Sequence, residues 1–302
     1  MKLKKGMLLA SLLIFTLFVL PISKTTHSSP DQDILSDTKA IIAGKEFTSQ
    51  QSDQFLSYIN SREEHDSQYY FISRFLYYMT GDHKLAAEQF SLAKEQLTSH
   101  DPDFIRIYTY VLLNESLQIQ GKTTDLPKNC KAALSNMSVS KEYKNDTDLC
   151  WRIVSVLTHH SSDISLGSRL LSSYTEQTRG LTRETIIKLY GNIGQLSFLA
   201  DDYPSALYDY WNGIDLLDTS PKIPGHNNYK AKFFAVIADI AYSLGQYQTA
   251  VDYYDQALEI SALCDKSKEM ASVDCLTLIN KSASHLALGQ TLMSILWIKM
   301  FI

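Results

Sequence analysis

The chain has 302 residues, of which 45% are hydrophobic and 20% charged, and this composition excludes a chain that is disordered along its whole length. A formal net charge of -5 argues against nucleic acid as the main partner, because phosphate binding needs clustered lysine and arginine. With 12 glycines and 7 prolines, the chain has too few turn residues for an all-β domain.

Residues 1–29 have the features of an export signal. Lys2, Lys4 and Lys5 precede an apolar run over residues 7–22, and a polar stretch follows. Positive charge before an apolar run orients the N-terminus inside. We expect either an uncleaved membrane anchor or a cleaved signal peptide; a buried core helix is the third interpretation, which the lysines disfavour. In both of the first cases the protein is membrane-anchored or secreted, with the bulk of the chain extracytoplasmic.

Residues 30–65 predict a degenerate helical pair that caps the domain that follows. The two segments are "DILSDTKAIIAG" and "SDQFLSYINSRE".

A helical hairpin is predicted in "LGQYQTAVDYYDQALEI", residues 244–260. Gly245 ends one helix, and Ala250, Tyr254 and Ala257 share a face of the next. Two helices cross closely only where such small side chains meet.

The same offsets recur along the chain. The turn position falls at residues 81, 121, 162, 201, 245 and 289, which are 39 to 44 residues apart, and it holds glycine except at Ser162 and Asp201. A near-constant period of this size is typical of a solenoid, in which stacked neighbours bury the apolar face of each hairpin. The sequence therefore predicts an all-α fold, an α-solenoid of stacked antiparallel helix hairpins over residues 66–290.

The hairpin pattern resembles the tetratricopeptide repeat family. "MTGDHKLAAEQFSLA" places Gly81, Ala86, Phe90 and Ala93 at the same offsets as residues 244–260. The resemblance is strong in three of the units, although the spacing exceeds the family's period of about 34 residues. An α-solenoid of another family is the alternative.

This resemblance implies a superhelix whose first helices line a concave groove. The mixture of aromatic side chains with charges of both signs suits a protein or peptide segment as the partner. The groove positions carried over from the family are Phe71, Phe75, Tyr78, Tyr108, Glu115, Gln118, Arg152, His159, Lys188, Gln195, Lys232, Asp239 and Tyr242.

No motif for catalysis, a metal or a cofactor is found in the sequence. Zinc-type His/Cys spacing, Gly-rich phosphate loops and nucleophile elbows are missing. His159 and His160 are adjacent, so on a helix they point in different directions. We therefore expect a protein that is not an enzyme and that needs no cofactor.

Two disulfides are possible in an exported chain. Cys264 and Cys275 flank a polar loop, and Cys130 and Cys150 lie on helices that are neighbours in a stacked solenoid. Buried free thiols are the alternative for all four cysteines.

The C-terminal tail "TLMSILWIKMFI", residues 291–302, is largely apolar. It is interpreted as the missing second helix of the last hairpin, as the start of a membrane span in a longer relative, or as a non-native end.

Two functions fit these features. The first is a scaffold that binds protein or peptide segments. The second is the sensor portion of a bacterial signalling receptor, because a signal-anchor followed by such repeats resembles the extracytoplasmic region of membrane diguanylate cyclases and some sensor kinases.

Overall fold

The computed structural model describes residues 30–290, apart from residues 64–66, 159–160 and 265–266. These residues form 13 α-helices, and the described part contains no strand. The all-α prediction is therefore confirmed for this part of the chain. The predicted N-terminal hydrophobic helix, within residues 1–29, and the apolar tail, residues 291–302, lie outside the described residues.

The predicted membrane-anchored or secreted location needs correction. In the part of the chain that the structure describes, no helix is both long enough and apolar enough to cross a membrane.

The chain divides into two compact units, which meet in sequence between Thr185 and Ile186. Among the described residues, the first unit holds residues 30–185 and the second holds residues 186–290.

The first unit holds eight helices and the start of a ninth. Pro30–Ile42 and Ser49–Ser61 (α1 and α2) lie where the helical pair is expected, and a capping box between Thr48 and Gln51 starts α2. Packing links consecutive helices from α1 to α6, as well as α3 with α5 and α6 with α8. The remaining helices are α3 (Ser67–Met79), α4 (His83–Gln96), α5 (Asp103–Ile119), α6 (Leu126–Val139), α7 (Thr147–Ser155), α8 (Ser161–Gln177) and the first residues of α9 (Arg183–Leu199).

The second unit continues from α9 through four further helices. In it α11 packs against α10, α12 and α13, and α12 also packs against α13. These helices are α10 (Tyr203–Asp218), α11 (His226–Ser243), α12 (Tyr247–Ser261) and α13 (Lys268–Ala287).

Five of the six predicted turn positions are left-handed residues that end a helix. Four are glycines with φ between 70° and 83°, at positions 81, 121, 245 and 289, and the fifth is Asp201 with φ 59°. At each turn, the turn residue's N–H donates to the carbonyl three residues back, and the next N–H donates to the carbonyl five residues back. Glycine adopts this conformation without a steric penalty, which explains its recurrence.

The sixth predicted turn, at Ser162, is wrong. Ser162 lies inside α8, because the preceding helix α7 has only nine residues and ends at Ser155. The turn between these helices therefore comes earlier than the repeat spacing predicts.

The packing pattern of the hairpins is confirmed. Ala86, Ala206 and Ala250 are fully buried at the position five residues after their turns. Four residues later, a buried ring packs in the core at Phe90, Tyr210 and Tyr254; burying each is worth roughly 1.5–3 kcal/mol.

The ring of Tyr210 on α10 packs directly against Gly194 on α9, which has no side chain to block it. A Cβ atom at Gly194 would lie 3.0 Å from the ring of Tyr210, closer than ordinary van der Waals contact.

Candidate functional site

Three helices of the first unit bring predicted groove residues together around one carboxylate. Tyr78 on α3 donates its hydroxyl to Glu115 Oε2 on α5 at 2.8 Å. Arg152 on α7 donates to the same carboxylate through Nε at 2.6 Å and Nη2 at 3.0 Å. The guanidinium carbon of Arg152 lies 5.9 Å from the centre of the Tyr108 ring. We call Tyr78, Tyr108, Glu115 and Arg152 the Tyr78 cluster.

The Tyr78 cluster is held rigidly but stays in contact with solvent. Arg152 also donates through Nη1 to the backbone carbonyl of Ile42 at 3.1 Å, so each guanidinium nitrogen has an acceptor. The side chains of Arg152 and Glu115 retain 31% and 17% of their exposure. A partner would thus meet groups whose geometry is already set, which lowers the entropy cost of binding.

Burial controls the ionisation of the two tyrosines in this cluster. It raises the pKa of Tyr108 to about 12. It also raises the pKa of Tyr78 well above its ordinary value, and the negative charge of Glu115 adds to the effect. Both phenols therefore keep their protons, and can donate hydrogen bonds, even near pH 10, where an ordinary tyrosine ionises.

The other predicted groove residues of the first unit fall in different surroundings. Phe71 and Phe75 are corrected to core residues, because they are 1% and 0% exposed. Phe71 packs edge-to-face on Phe104, with ring centres 5.4 Å apart. Gln118 on α5 is partly exposed. His159 lies outside the described residues.

Two predicted groove residues of the second unit keep partial exposure. Lys188 places its Nζ 5.9 Å from the centre of the Tyr229 ring. Tyr242 packs edge-to-face against Tyr247, with ring centres 5.4 Å apart.

Gln195 and Asp239 face the second helix of their own hairpin. Gln195 is 7% exposed, and its Oε1 accepts a hydrogen bond from the Tyr210 hydroxyl at 3.4 Å. Asp239 accepts from the Tyr254 hydroxyl at 2.6 Å and from Asn280 Nδ2 at 2.9 Å. These contacts hold the hairpins together, which corrects Gln195 from a groove residue to a buried one and gives Asp239 a structural partner.

The sequence analysis did not predict that two carboxyl groups of the second unit, Asp239 and Asp209, have raised pKa values. Burial raises the pKa of Asp239 to about 6 although two hydrogen bonds oppose the shift. Burial also raises the pKa of Asp209 to about 7, and the negative charge of Asp202 adds to it. The sequence did contain a signal for the contact of Asp239. Tyr254 lies nine residues after the turn residue Gly245, and Asp239, a hydrogen-bond acceptor, lies six residues before Gly245.

Neither predicted disulfide is present, because all four cysteines are free thiols. Cys130 donates its Sγ–H to the carbonyl of Ile153 at 3.0 Å and accepts from Asn114 Nδ2 at 3.2 Å. Burial raises the pKa of Cys130 to about 12 and that of Cys150 above its ordinary value. Cys264 and Cys275 are partly exposed.

Within the described residues, no group of three or more His, Cys, Asp and Glu side chains is arranged to hold a metal ion. The expectation of a protein without metal or cofactor stays a prediction.

No protein-family model matches the chain, and no curated protein matches it in sequence. Among solved structures, the chain is similar to a signal transduction ATPase with numerous domains (STAND protein) with a tetratricopeptide repeat sensor from Pyrococcus horikoshii. The TM-score is 0.46 and the sequence identity 10%, and the match covers 86% of this chain and 44% of that one. This chain thus spans less than half of that protein's length, and a likeness at this level carries no functional argument.

Proposed function

We propose that the protein is a non-enzymatic helical-repeat scaffold that binds a protein or peptide segment at the Tyr78 cluster. The observation that supports this function is the convergence of side chains from α3, α5 and α7 on Glu115. Tyrosine and arginine are among the residues that contribute most binding energy at protein interfaces.

A peptide fits the chemistry of this surface better than a highly charged ligand. The charge of Arg152 is compensated by Glu115 at 2.6 Å, so the cluster has no large excess of either sign. Tyr78 and Tyr108 offer ring surface, and the partly exposed Gln118 supplies an amide that can pair with a backbone. An extended segment with apolar and polar groups meets all three features.

A peptide-display selection against the full chain tests the proposal. The selected peptide is then titrated by calorimetry against the wild type, Tyr108→Ala, Arg152→Met and the control Lys131→Ala, which changes an exposed residue on α6. We expect both cluster variants to weaken binding at least tenfold, that is by about 1.4 kcal/mol or more, and the control to leave it unchanged.

Circular dichroism separates lost binding from lost folding, and Tyr78→Phe provides a milder change that removes only one hydroxyl. Selected peptides that bind all folded variants equally would contradict the proposed surface. A selection that enriches no binding peptide would contradict the proposed function.

A further inference from the structure

A small cleft in the first unit lies between α3, the end of α4 and the start of α5. Its cavity volume is about 30 Å³, and the cleft is partly open to solvent. Its polar lining consists of Tyr70, Arg74, Gln96, Asp101 and Thr109. None of these residues belongs to the Tyr78 cluster, so the cleft is a separate site.

Arg74 is the unusual residue of this cleft. It is only 7% exposed, and its Nε is buried without a hydrogen-bond partner in the described structure. Its guanidinium carbon lies 4.8 Å from the centre of the Tyr70 ring. Among the described residues, no carboxylate lies within ion-pair distance of Arg74. A buried charge that forms no ion pair is costly, so an anion that entered this cleft would stabilise the Arg74 side chain.

The other hairpins with a left-handed turn have an uncharged residue at the position of Arg74. Arg74 lies seven residues before the turn glycine Gly81, at a position that is buried in each of the hairpins with a left-handed turn. The equivalent residues are uncharged, namely Asn114, Gly194, Ala238 and Ser282. Because small or neutral side chains fill this position elsewhere, the packing of the hairpin does not explain an arginine.

The chemistry of the lining selects the kind of anion. A planar guanidinium matches a planar carboxylate, and a single positive charge balances a single negative one. The Asp101 carboxylate also lines the cleft, and its Oδ2 accepts hydrogen bonds from Thr98 N at 2.7 Å and Thr98 Oγ1 at 3.0 Å. Its negative charge disfavours a doubly charged phosphate. A cavity of about 30 Å³ has room for no more than a small group at the end of a ligand.

We infer that this cleft binds a carboxylate group, with Arg74 Nε–H as its donor and Tyr70, Gln96 and Thr109 around it. The carboxylate belongs either to a small free acid or to a peptide. This site goes beyond the proposed function, since it uses other residues and a ligand of defined chemistry.

The first experiment follows the Nε–H resonance of Arg74 by NMR in the full chain, with sodium acetate exchanged for sodium chloride at constant ionic strength. We expect a saturable downfield shift of this resonance and of the neighbouring Tyr70 ring signals. Arg74→Met keeps the side-chain volume while removing the charge, and it should weaken acetate binding at least tenfold, measured on the Tyr70 signals. A wild type whose Arg74 and Tyr70 signals do not respond saturably to acetate overturns the inference, as does an Arg74→Met response equal to that of the wild type.

Two further measurements test the role of Asp101 and the class of the anion. Asp101→Asn removes the nearby negative charge and should tighten acetate binding. If this substitution abolishes the acetate response instead, the responding group is Asp101 and not Arg74. The inference then fails. Inorganic phosphate is titrated in the same way, and binding tighter than that of acetate overturns the carboxylate assignment.

Peptide probes identify the source of the carboxylate. We compare acetyl-Gly-Gly with a free C-terminus, its C-terminal amide, and acetyl-aspartyl amide. Binding of the first alone assigns a peptide C-terminus, and binding of the first and third assigns any peptide carboxylate. Binding of acetate with none of the peptides assigns a small free acid. Equal binding of the uncharged amide contradicts recognition of a carboxylate.

Discussion

The α3–α4 hairpin of the first unit and the two hairpins of the second unit fill equivalent positions with different chemistry. In the first unit, the ring nine residues after the turn is Phe90, and the residue six before the turn is Phe75, both fully buried. In the second unit, the rings are tyrosines, Tyr210 and Tyr254, and the residues six before the turn are hydrogen-bond acceptors, Gln195 and Asp239. The two positions thus change together.

The physical reason is the cost of a buried hydroxyl. A tyrosine in the core needs an acceptor, whereas a phenylalanine needs only apolar contact. The α5–α6 hairpin shows the third case: Cys130 replaces the ring, so the carboxylate six residues before the turn, Glu115, is left to bind Tyr78 and Arg152. The side chain nine residues after the turn therefore decides the role of a polar residue six residues before it. Opposite a tyrosine, the polar residue accepts a hydrogen bond within the hairpin; opposite Cys130, it contacts residues of other helices.

The largest expected effect concerns Phe75 and Phe90, the apolar pair of the α3–α4 hairpin. Phe90→Ala removes a fully buried ring and should cost about 3–5 kcal/mol of stability, measured by native-state hydrogen exchange of the α3 and α4 amides. The matched control on α4 is Leu92→Ala, which is 52% exposed and should change stability by no more than about 0.5 kcal/mol. Equal effects of the two substitutions would show that Phe90 does not hold this hairpin.

The contribution of the Asp239–Tyr254 pair to stability should depend on pH. Burial raises the pKa of Asp239 from its ordinary value of 3.8 to about 6, so the ionised form costs stability in the folded state. Below a pH of 3.8, the Asp239 carboxyl group is protonated in both the folded and the unfolded state. As the pH rises from 3.8 to about 6, the wild type should become less stable than Asp239→Asn by up to about 3 kcal/mol. Urea unfolding of both proteins across this pH range measures the difference.

Asp252→Asn is the control for the change in net charge, because this exposed residue lies on the same hairpin, on α12. A stability difference between wild type and Asp239→Asn that stays constant with pH would mean that Asp239 is not buried as the structure has it.

The smallest expected effect is the coupling energy between Glu115 and Arg152, the ion pair at the surface of the first unit. A double-mutant cycle with Glu115→Gln and Arg152→Met should give a coupling of about 1 kcal/mol, since the pair is bidentate and partly shielded from water. The comparison pair is Lys39 with Glu142, whose side chains are 38% and 62% exposed and whose coupling should be near zero. Equal couplings would show that the Tyr78 cluster is no more rigid than an ordinary surface ion pair.

Most of the fold could be predicted from local sequence patterns. The turn residue, which is glycine at positions 81 and 245 and aspartate at 201, and the alanine five residues later have one steric explanation each, so these three hairpins could be predicted from sequence. The turn near Ser162 could not, because the length of α7 depends on packing that the spacing does not encode. The free state of Cys130 and Cys150 is likewise a matter of three-dimensional placement, since each thiol is buried among its own contacts.

The sequence by itself determined the all-α class, the hairpin turns and the residues that pack between paired helices, because these follow from backbone sterics and from apolar periodicity within a few turns of chain. Only the tertiary structure decided which polar residues on the first helices are available to a partner. Tyr78, Glu115 and Arg152 are separated by 37 residues each, and their meeting depends on how three helices pack. Whether Asp239 or Arg74 finds a counterpart depends equally on burial, which is a property of the packed hairpin and not of the residue type.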